Sequence, residues 1–123
     1  MAKDGEVIWP RRGDVYLVDF DPTLGAEIKK TRPVLIVQND ITNQWGALTI
    51  VAAITSHPGQ EIYPTQVIVE AGEGGLKTKS VIKLEQIRSI DKQRLKHKLG
   101  RVNPDTLLAV DRALIISLGL ILI

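Results

Sequence analysis

The chain contains no cysteine, which excludes disulfide bonds, thiolate metal sites and a cysteine nucleophile. Aromatic residues make up only 4% of it, so we expect an aliphatic core. No pair of residues has the spacing of metal ligands, and we expect neither a metal nor another cofactor. The apolar run 113–123 is shorter than the roughly 20 residues that span a bilayer. Together with an N-terminus that lacks a signal-peptide pattern, these absences predict a cytoplasmic protein without a membrane partner.

The 123 residues are 44% hydrophobic and carry a net charge of +2, with a pI near 9.0. This length predicts a single domain, which we place at residues 11–123 behind a flexible N-terminal arm at residues 1–10. A mildly basic chain is compatible with a nucleic-acid partner, provided that its charge is local. Most of the basic residues that could form such a patch lie between Lys77 and Arg101.

Short apolar runs separated by turn residues predict a mainly β fold. A short connector with about one turn of helix is expected at 39–45, and the lysine-bearing segment at 95–99 has the pattern of an edge strand. The expected strands are 15–20, 33–37, 48–54, 65–69, 80–84 and 86–90, the last two separated by a kink.

A helix is predicted to begin after Asn103, because Asn is a good N-cap, Pro104 suits the first helical position and Asp105 complements the helix dipole. Leu107, Leu114, Leu118 and Ile121 would share one of its faces. The end of this helix is apolar all round, which is typical of a helix end that is buried or covered by another subunit.

Polar side chains stand where several predicted strands begin or end. Arg32 precedes the Pro33 strand, and a guanidinium presents a planar fork of donors that matches a phosphate. Thr55 and Ser56 end another strand, where two hydroxyls could bind phosphoryl oxygens. Structural alternatives stay open: Arg32 could pair with Glu27 or Asp40, and the hydroxyls could cap a turn. Asp14 and Asp40 are interpreted as structural.

These residues belong to segments whose order resembles the MazF, PemK or Kid toxin family of bacterial toxin–antitoxin modules. The segments are Arg12-Gly13-Asp14-Val15-Tyr16, Thr31-Arg32-Pro33-Val34-Leu35, Val37-Gln38-Asn39-Asp40, 51–55 and 84–91. The resemblance implies an SH3-like small β-barrel with a terminal helix, as in MazF, Kid and CcdB, assembled as a homodimer. It also implies a sequence-specific, metal-independent endoribonuclease that cuts single-stranded RNA by attack of the 2′-hydroxyl and leaves a 2′,3′-cyclic phosphate and a 5′-hydroxyl. Such an enzyme would be the growth-arresting toxin of a toxin–antitoxin pair, with a cognate antitoxin protein as its partner.

In the resembled family the arginine of the Arg-Pro motif and the threonine after Ala-Ala-Ile are catalytic, which implies catalytic roles for Arg32 and Thr55. Glu27 could act as a base or orient Arg32, although this chain has Gly-Ala-Glu where the family usually has Gly-Ser-Glu. Further RNA contacts are expected from Arg12, Lys29, Ser56 and Gln86; Gln86 could read a base edge. A role of His57 in proton transfer, base stacking by Trp45 or Tyr63, and purely structural roles for all three stay open.

Two other functions compete with the nuclease. The first is a non-enzymatic toxin that binds a protein target, as the related CcdB toxins do on the same fold, since fold does not decide function. The second is an RNA-binding barrel without activity. The sequence does not indicate the cut site or the class of RNA.

Overall fold

The computed structural model describes residues 9–20, 31–57, 59 and 61–121. Short 3-10 turns at Glu73–Gly75 and Lys92–Arg94 connect some of the regular elements within these ranges. The strands are β1 (Asp14–Asp19), β2 (Thr31–Ile36), β3 (Leu48–Ser56), β4 (Gln66–Val69), β5 (Ser80–Asp91) and β6 (Leu95–Arg101), and the helices are α1 (Asp40–Trp45) and α2 (Pro104–Ser117).

All strand pairs are antiparallel, and the sheet has the order β4-β5-β3-β2-β1-β6. One face carries the larger core cluster, which includes Leu35, Ile82 and Leu84 and packs against Val110 and Ala113 of α2. The opposite face buries a smaller cluster of Val18, Val34, Ile36, Val51 and Ile90. The mainly β fold with a terminal helix is therefore confirmed.

The expected barrel is not closed by hydrogen bonds, because no ladder joins β4 to β6 in the described part of the chain. The glycine-rich turn after β4 instead packs directly against the β6 backbone. A Cβ on Gly75 would lie 2.1 Å from the carbonyl oxygen of Leu99, and one on Gly100 would lie 2.7 Å from the carbonyl carbon of Gly74. Only residues without a side chain allow this approach, which brings the two ends of the sheet together.

Helix α1 confirms the expected helical turn in the connector. Asn39 caps it by accepting a 2.8 Å hydrogen bond from the Thr42 amide. Asn43 is fully buried and accepts a 2.6 Å hydrogen bond from the Thr49 hydroxyl, which anchors the helix to β3. The outer surface of the segment leaves Ile41, Trp45 and Leu48 exposed.

Helix α2 begins at Pro104 as predicted, but Asn103 caps it only through its backbone conformation. Glu73 from the glycine-rich turn accepts hydrogen bonds from the Asn103 amide and the Thr106 hydroxyl. The carboxylate thus satisfies a backbone donor at the positive end of the helix.

The prediction that α2 continues through Leu118 to Ile121 is wrong, because the helix ends at Ser117. Gly119 has a φ of +70°, and the Leu120 amide donates to the Ile115 carbonyl at 2.9 Å. With the Gly119 amide donating to Ile116, this is a Schellman motif, which terminates the helix. The apolar residues Leu118, Leu120 and Ile121 are exposed beyond it.

The two strands expected at 80–84 and 86–90 form one long strand, β5. The predicted kink is a bulge: Ala52 of β3 pairs with Ile87, whereas the next residue, Ala53, pairs with Lys83. Three residues of β5, Leu84 to Gln86, are therefore extra at this point.

The expected edge strand is confirmed as β6, which within the described ranges pairs only with β1. Of the predicted arm, residues 1–8 lie outside the described residues; Pro10 is buried, and the Arg11 guanidinium lies 4.3 Å from the centre of the Trp9 ring. No helix among the described residues is long and apolar enough to cross a bilayer.

Candidate active site

Strand register brings Arg32 and Thr55 together. In the β2–β3 ladder Val34 pairs with Ala53, and the register continued by two residues places Arg32 opposite Thr55. Directly opposed residues of an antiparallel pair project their side chains to the same face. The side chains of Arg32 and Thr55 therefore project to the same face, which is the face of the smaller core cluster.

Both side chains line one pocket with a volume of about 330 Å³. Its walls come from β2, β3 and β5, together with the residue that follows β1. Within the described part of the chain, Arg32 forms no ion pair, so no carboxylate of these residues neutralises its charge at the pocket. The lining residues are Phe20, Arg32, Pro33, Val51, Ala53, Ile54, Thr55, Gln86, Ile87 and Arg88.

The bulge in β5 puts Gln86 on the pocket wall. The Leu84 amide donates to the Thr65 carbonyl at 2.9 Å, which ties the bulge to the residue before β4. The Ser117 hydroxyl at the end of α2 donates to the Leu84 carbonyl, also at 2.9 Å. The backbone amide and carbonyl of Leu84 at the bulge are thus both hydrogen-bonded, which holds the bulge in place.

Two residues of this pocket, Arg88 and Phe20, were not selected from the sequence. The Arg88 guanidinium lies 4.8 Å from the centre of the Phe20 ring, within cation–π range. Arg88 pairs with Val51 across β3 and β5 and stands on the pocket wall with Arg32. The motif Gln86-Ile87-Arg88 is a usable signal for Arg88, because residues two apart on a strand, such as Gln86 and Arg88, project to the same face.

Arg12 lies outside the pocket of Arg32 and Thr55. Its Nε donates to the Val37 carbonyl at 3.0 Å, and its Nη2 lies 2.7 Å from Oδ1 of Asp111 on α2. The Arg12 amide donates to Asp40 at 2.7 Å. Arg12 does not line the pocket, and its interaction with RNA stays a prediction.

Asp14 is 1% exposed and is held by charged partners: Lys98 at 3.4 Å and Arg101 at 3.0 Å. It also accepts a hydrogen bond from the Arg11 amide. This network ties the start of β1 to β6, which agrees with the structural interpretation of Asp14. Asp40 has a comparable structural position, because it accepts from the Arg12 amide and from the Asn43 side chain.

Ser56 and His57 do not line the pocket of Arg32. They face a neighbouring depression that shares Thr55 with it. Glu27 and Lys29 lie outside the described residues, so their predicted roles stay predictions. Among the residues described, no group of three or more His, Cys, Asp or Glu side chains is arranged to hold a metal ion.

Residues 11–118 match the family described as PemK-like, MazF-like toxin of type II toxin–antitoxin system. The chain belongs to this family. It is also 48% identical over 111 residues to the endoribonuclease EndoA of Bacillus subtilis strain 168, an alignment that covers 90% of this chain and 96% of EndoA.

Solved structures of toxins have the same fold as this PemK-like chain. An endoribonuclease from a mycobacterial species, solved in complex with its cognate antitoxin, superposes with a TM-score of 0.76 at 27% identity, covering 93% of this chain and 99% of that one. MazF from Deinococcus radiodurans gives a TM-score of 0.71 at 26% identity, covering 92% and 99%. The resemblance noted in the sequence is thereby confirmed, and these names favour the nuclease over the non-enzymatic alternative.

Proposed function

We propose that this PemK-like toxin is an endoribonuclease that cleaves single-stranded RNA at the pocket of Arg32 and Thr55. The observation that carries the proposal is that Arg32 and Thr55, a guanidinium and a hydroxyl on neighbouring strands, line the same pocket. Preorganised donors of this kind stabilise charge that develops on a reacting phosphate. The relatives described as endoribonucleases support the same reaction class.

In the proposed reaction the 2′-oxygen of the RNA attacks the adjacent phosphorus. A new bond forms between this oxygen and phosphorus, and the bond to the 5′-oxygen of the next nucleotide breaks. The 2′-hydroxyl gives up its proton and the leaving oxygen receives one, so the products are a 2′,3′-cyclic phosphate and a 5′-hydroxyl. The step needs positioning and electrostatic stabilisation, and no metal is required in it.

Arg32 would donate to the phosphoryl oxygens as negative charge builds on them, since a guanidinium matches phosphate geometry. Thr55 would donate its hydroxyl to the same phosphate from the opposite strand. Gln86 would contact a base through its side-chain amide, because it stands on the pocket wall at the bulge. Glu27 remains the proposed base or orienting group, and Lys29, Ser56 and Arg12 the proposed flanking contacts.

The proposed partners are an antitoxin protein and a second copy of the chain. The mycobacterial relative was solved with its cognate antitoxin, and exposed apolar residues after α2 give this chain a surface suited to a partner. An antitoxin segment that covers the pocket would block RNA from reaching Arg32. We place the toxin in the bacterial cytoplasm, where its RNA substrate would be. A mass near twice 13.6 kDa in light scattering would support the homodimer.

The nuclease proposal is tested by incubating the purified protein with a long single-stranded RNA in EDTA and analysing the product ends. Arg32→Ala and Thr55→Ala should each lower the cleavage rate about 100-fold or more while the protein stays folded. Arg112→Ala and Thr78→Ala are matched controls, because both residues are exposed and neither lines the pocket. If the folded, antitoxin-free protein leaves diverse RNAs intact, the proposal is wrong.

A further inference from the structure

A second depression of about 520 Å³ adjoins the pocket of Arg32, and Thr55 lines both. The other residues of this depression come from the end of β3, from β4 and β5 and from the segment before β4. Most of its lining is polar, in contrast to the largely apolar core face of the same strands. The lining residues are Thr55, Ser56, His57, Glu61, Tyr63, Gln66, Val81 and Lys83.

Strand register explains why this depression lies directly beside the proposed reaction centre. Thr55 pairs with Val81 across β3 and β5, and Lys83 pairs with Gln66 across β5 and β4. These side chains therefore share the face on which Arg32 lies. Neighbouring strands are about 4.8 Å apart, so Gln66 on β4 is about 10 Å from Thr55 on β3 in the direction across the strands.

Tyr63 is the aromatic wall of this depression and is 69% exposed. Its backbone is held in a turn: the Tyr63 amide donates to the Gln66 side chain at 3.2 Å, and the Gln66 amide donates to the Tyr63 carbonyl at 2.9 Å. An exposed ring on a fixed backbone is a surface on which an unstacked base can stack, and such stacking contributes about 1–3 kcal/mol per base.

Glu85, an exposed residue of the bulge, fixes the side chains around Tyr63. It accepts hydrogen bonds from the Gln66 side-chain amide at 2.8 Å and from the Thr65 hydroxyl at 3.1 Å. Both the oxygen and the nitrogen of the Gln66 side-chain amide therefore already have hydrogen-bond partners. Its role is to shape the wall, and the donors and acceptors that remain for a ligand are on other residues.

Lys83 and Glu61 supply a donor and an acceptor to this depression. Among the described residues Lys83 forms no ion pair, and neither does Glu61. A cationic donor together with a carboxylate acceptor matches a base edge on which a carbonyl stands next to an N–H group. Uracil and guanine have such an edge, whereas adenine and cytosine carry an amino group there.

We propose that this depression binds one unstacked uracil or guanine base next to the scissile phosphate, with Tyr63 stacking on the ring and Lys83 donating to its carbonyl. This inference rests on the proposed nuclease function and assigns part of its sequence selectivity. Recognition of a splayed base through its edge and its face is the usual mode for single-stranded RNA. Thr55 would then contact the phosphate on one side while this base is held on the other.

The test is to sequence the cut ends produced from a randomised single-stranded RNA pool by the full-length protein. Wild type should cut with uracil or guanine enriched at one position adjacent to the cleaved bond. Tyr63→Ala and Lys83→Gln should reduce that enrichment about tenfold at this position alone. Tyr63→Phe keeps the ring and should retain the preference, and Lys96→Gln removes an exposed lysine of β6 that lines neither pocket.

The outcomes separate the inference from the function on which it rests. If wild type cuts the pool and the folded Tyr63→Ala and Lys83→Gln variants give the wild-type profile, only the base site is wrong. Adenine or cytosine enrichment at every position next to the cut would also overturn it. If wild type does not cut any RNA in the pool, the nuclease proposal and the base site fall together.

Discussion

Arg12 and Asp111 form a salt bridge of 2.7 Å that joins the segment before β1 to the middle of α2. The same guanidinium donates to the Val37 carbonyl beyond β2, so three parts of the chain meet at one side chain. The helix is thereby attached to the sheet at a point that does not line the Arg32 pocket. Arg12 has a structural role even if RNA also reaches it.

Replacing Arg12 is expected to lower stability more than it lowers activity. Arg12→Gln should reduce the free energy of unfolding by about 1–2 kcal/mol, because it loses a partly buried hydrogen bond as well as the ion pair. Asp111→Asn should cost less, about 0.5 kcal/mol. Denaturant titration of both variants and of the double variant measures their coupling. A large loss of RNA affinity in Arg12→Gln alone would instead support the contact predicted from the sequence.

Arg88 is expected to help bind the substrate. Arg88→Gln should raise KM for RNA about five- to tenfold, since it removes one phosphate-binding charge. The slope of the logarithm of the binding constant against the logarithm of the salt concentration should become shallower by about one. The identity of the product ends should not change. Arg112→Gln removes a similarly exposed arginine outside the pocket and is the matched control. An unchanged salt slope in Arg88→Gln would exclude this phosphate contact.

Gly75→Ala is expected to destabilise the fold by about 3 kcal/mol or more. The new methyl group would meet the Leu99 carbonyl at 2.1 Å, and the residue already has a φ of +76°. Gly72→Ala separates the two effects, because Gly72 has a φ of +98° but a methyl group there would meet no atom within 4 Å. It should lose only the conformational part, about 1 kcal/mol. Equal denaturation midpoints for the two variants would contradict the close packing against β6.

Alkaline pH is expected to destabilise the protein through Tyr16. Burial, and then the charge of Asp14, raise the pKa of Tyr16 above its ordinary value of 10.0. Because the pKa of Tyr16 is higher in the folded state than in the unfolded state, its contribution to the free energy of unfolding is complete at pH values below the pKa of the unfolded state. This contribution is lost as the pH rises toward the pKa of the folded state. The free energy of unfolding of wild type should therefore fall more steeply above about pH 10 than that of Tyr16→Phe. Parallel pH profiles for the two proteins would refute this expectation.

Local sequence signals predicted most of the elements because each depends on a few neighbouring residues. The apolar run after Pro33 became β2, Asn103-Pro104 marked the start of α2, and alternating lysines marked the edge strand β6. The predicted end of α2 is wrong although the sequence contains a local signal for it. Gly119 is the typical residue just beyond a helix, and its left-handed conformation turns the chain away.

The assembly of the site could be predicted only in part. Arg32 and Thr55 were selected from motifs, but their opposition depends on the β2–β3 register, which forms between distant parts of the chain. Phe20 could not be predicted for the same reason, since only the folded sheet brings the residue after β1 to β5. Arg88 is a different case, because its spacing from Gln86 in the sequence is a usable signal. The sequence indicates the bulge at Leu84 to Gln86 only as a predicted kink between two strands.

Thr55 forms a common wall between the two pockets, and this has a consequence for how such a toxin can diversify. With the roles proposed above, a substitution at this position would alter bond breaking and base choice together, so selectivity could not be changed there without loss of the cleavage rate. Residues that line only one of the two pockets have no such constraint. Tyr63 and Lys83 line only the depression beside the Arg32 pocket, and Gln86 lines only the Arg32 pocket. With these proposed roles, a new cleavage motif would arise by exchanging the outer side chains while Thr55 is kept.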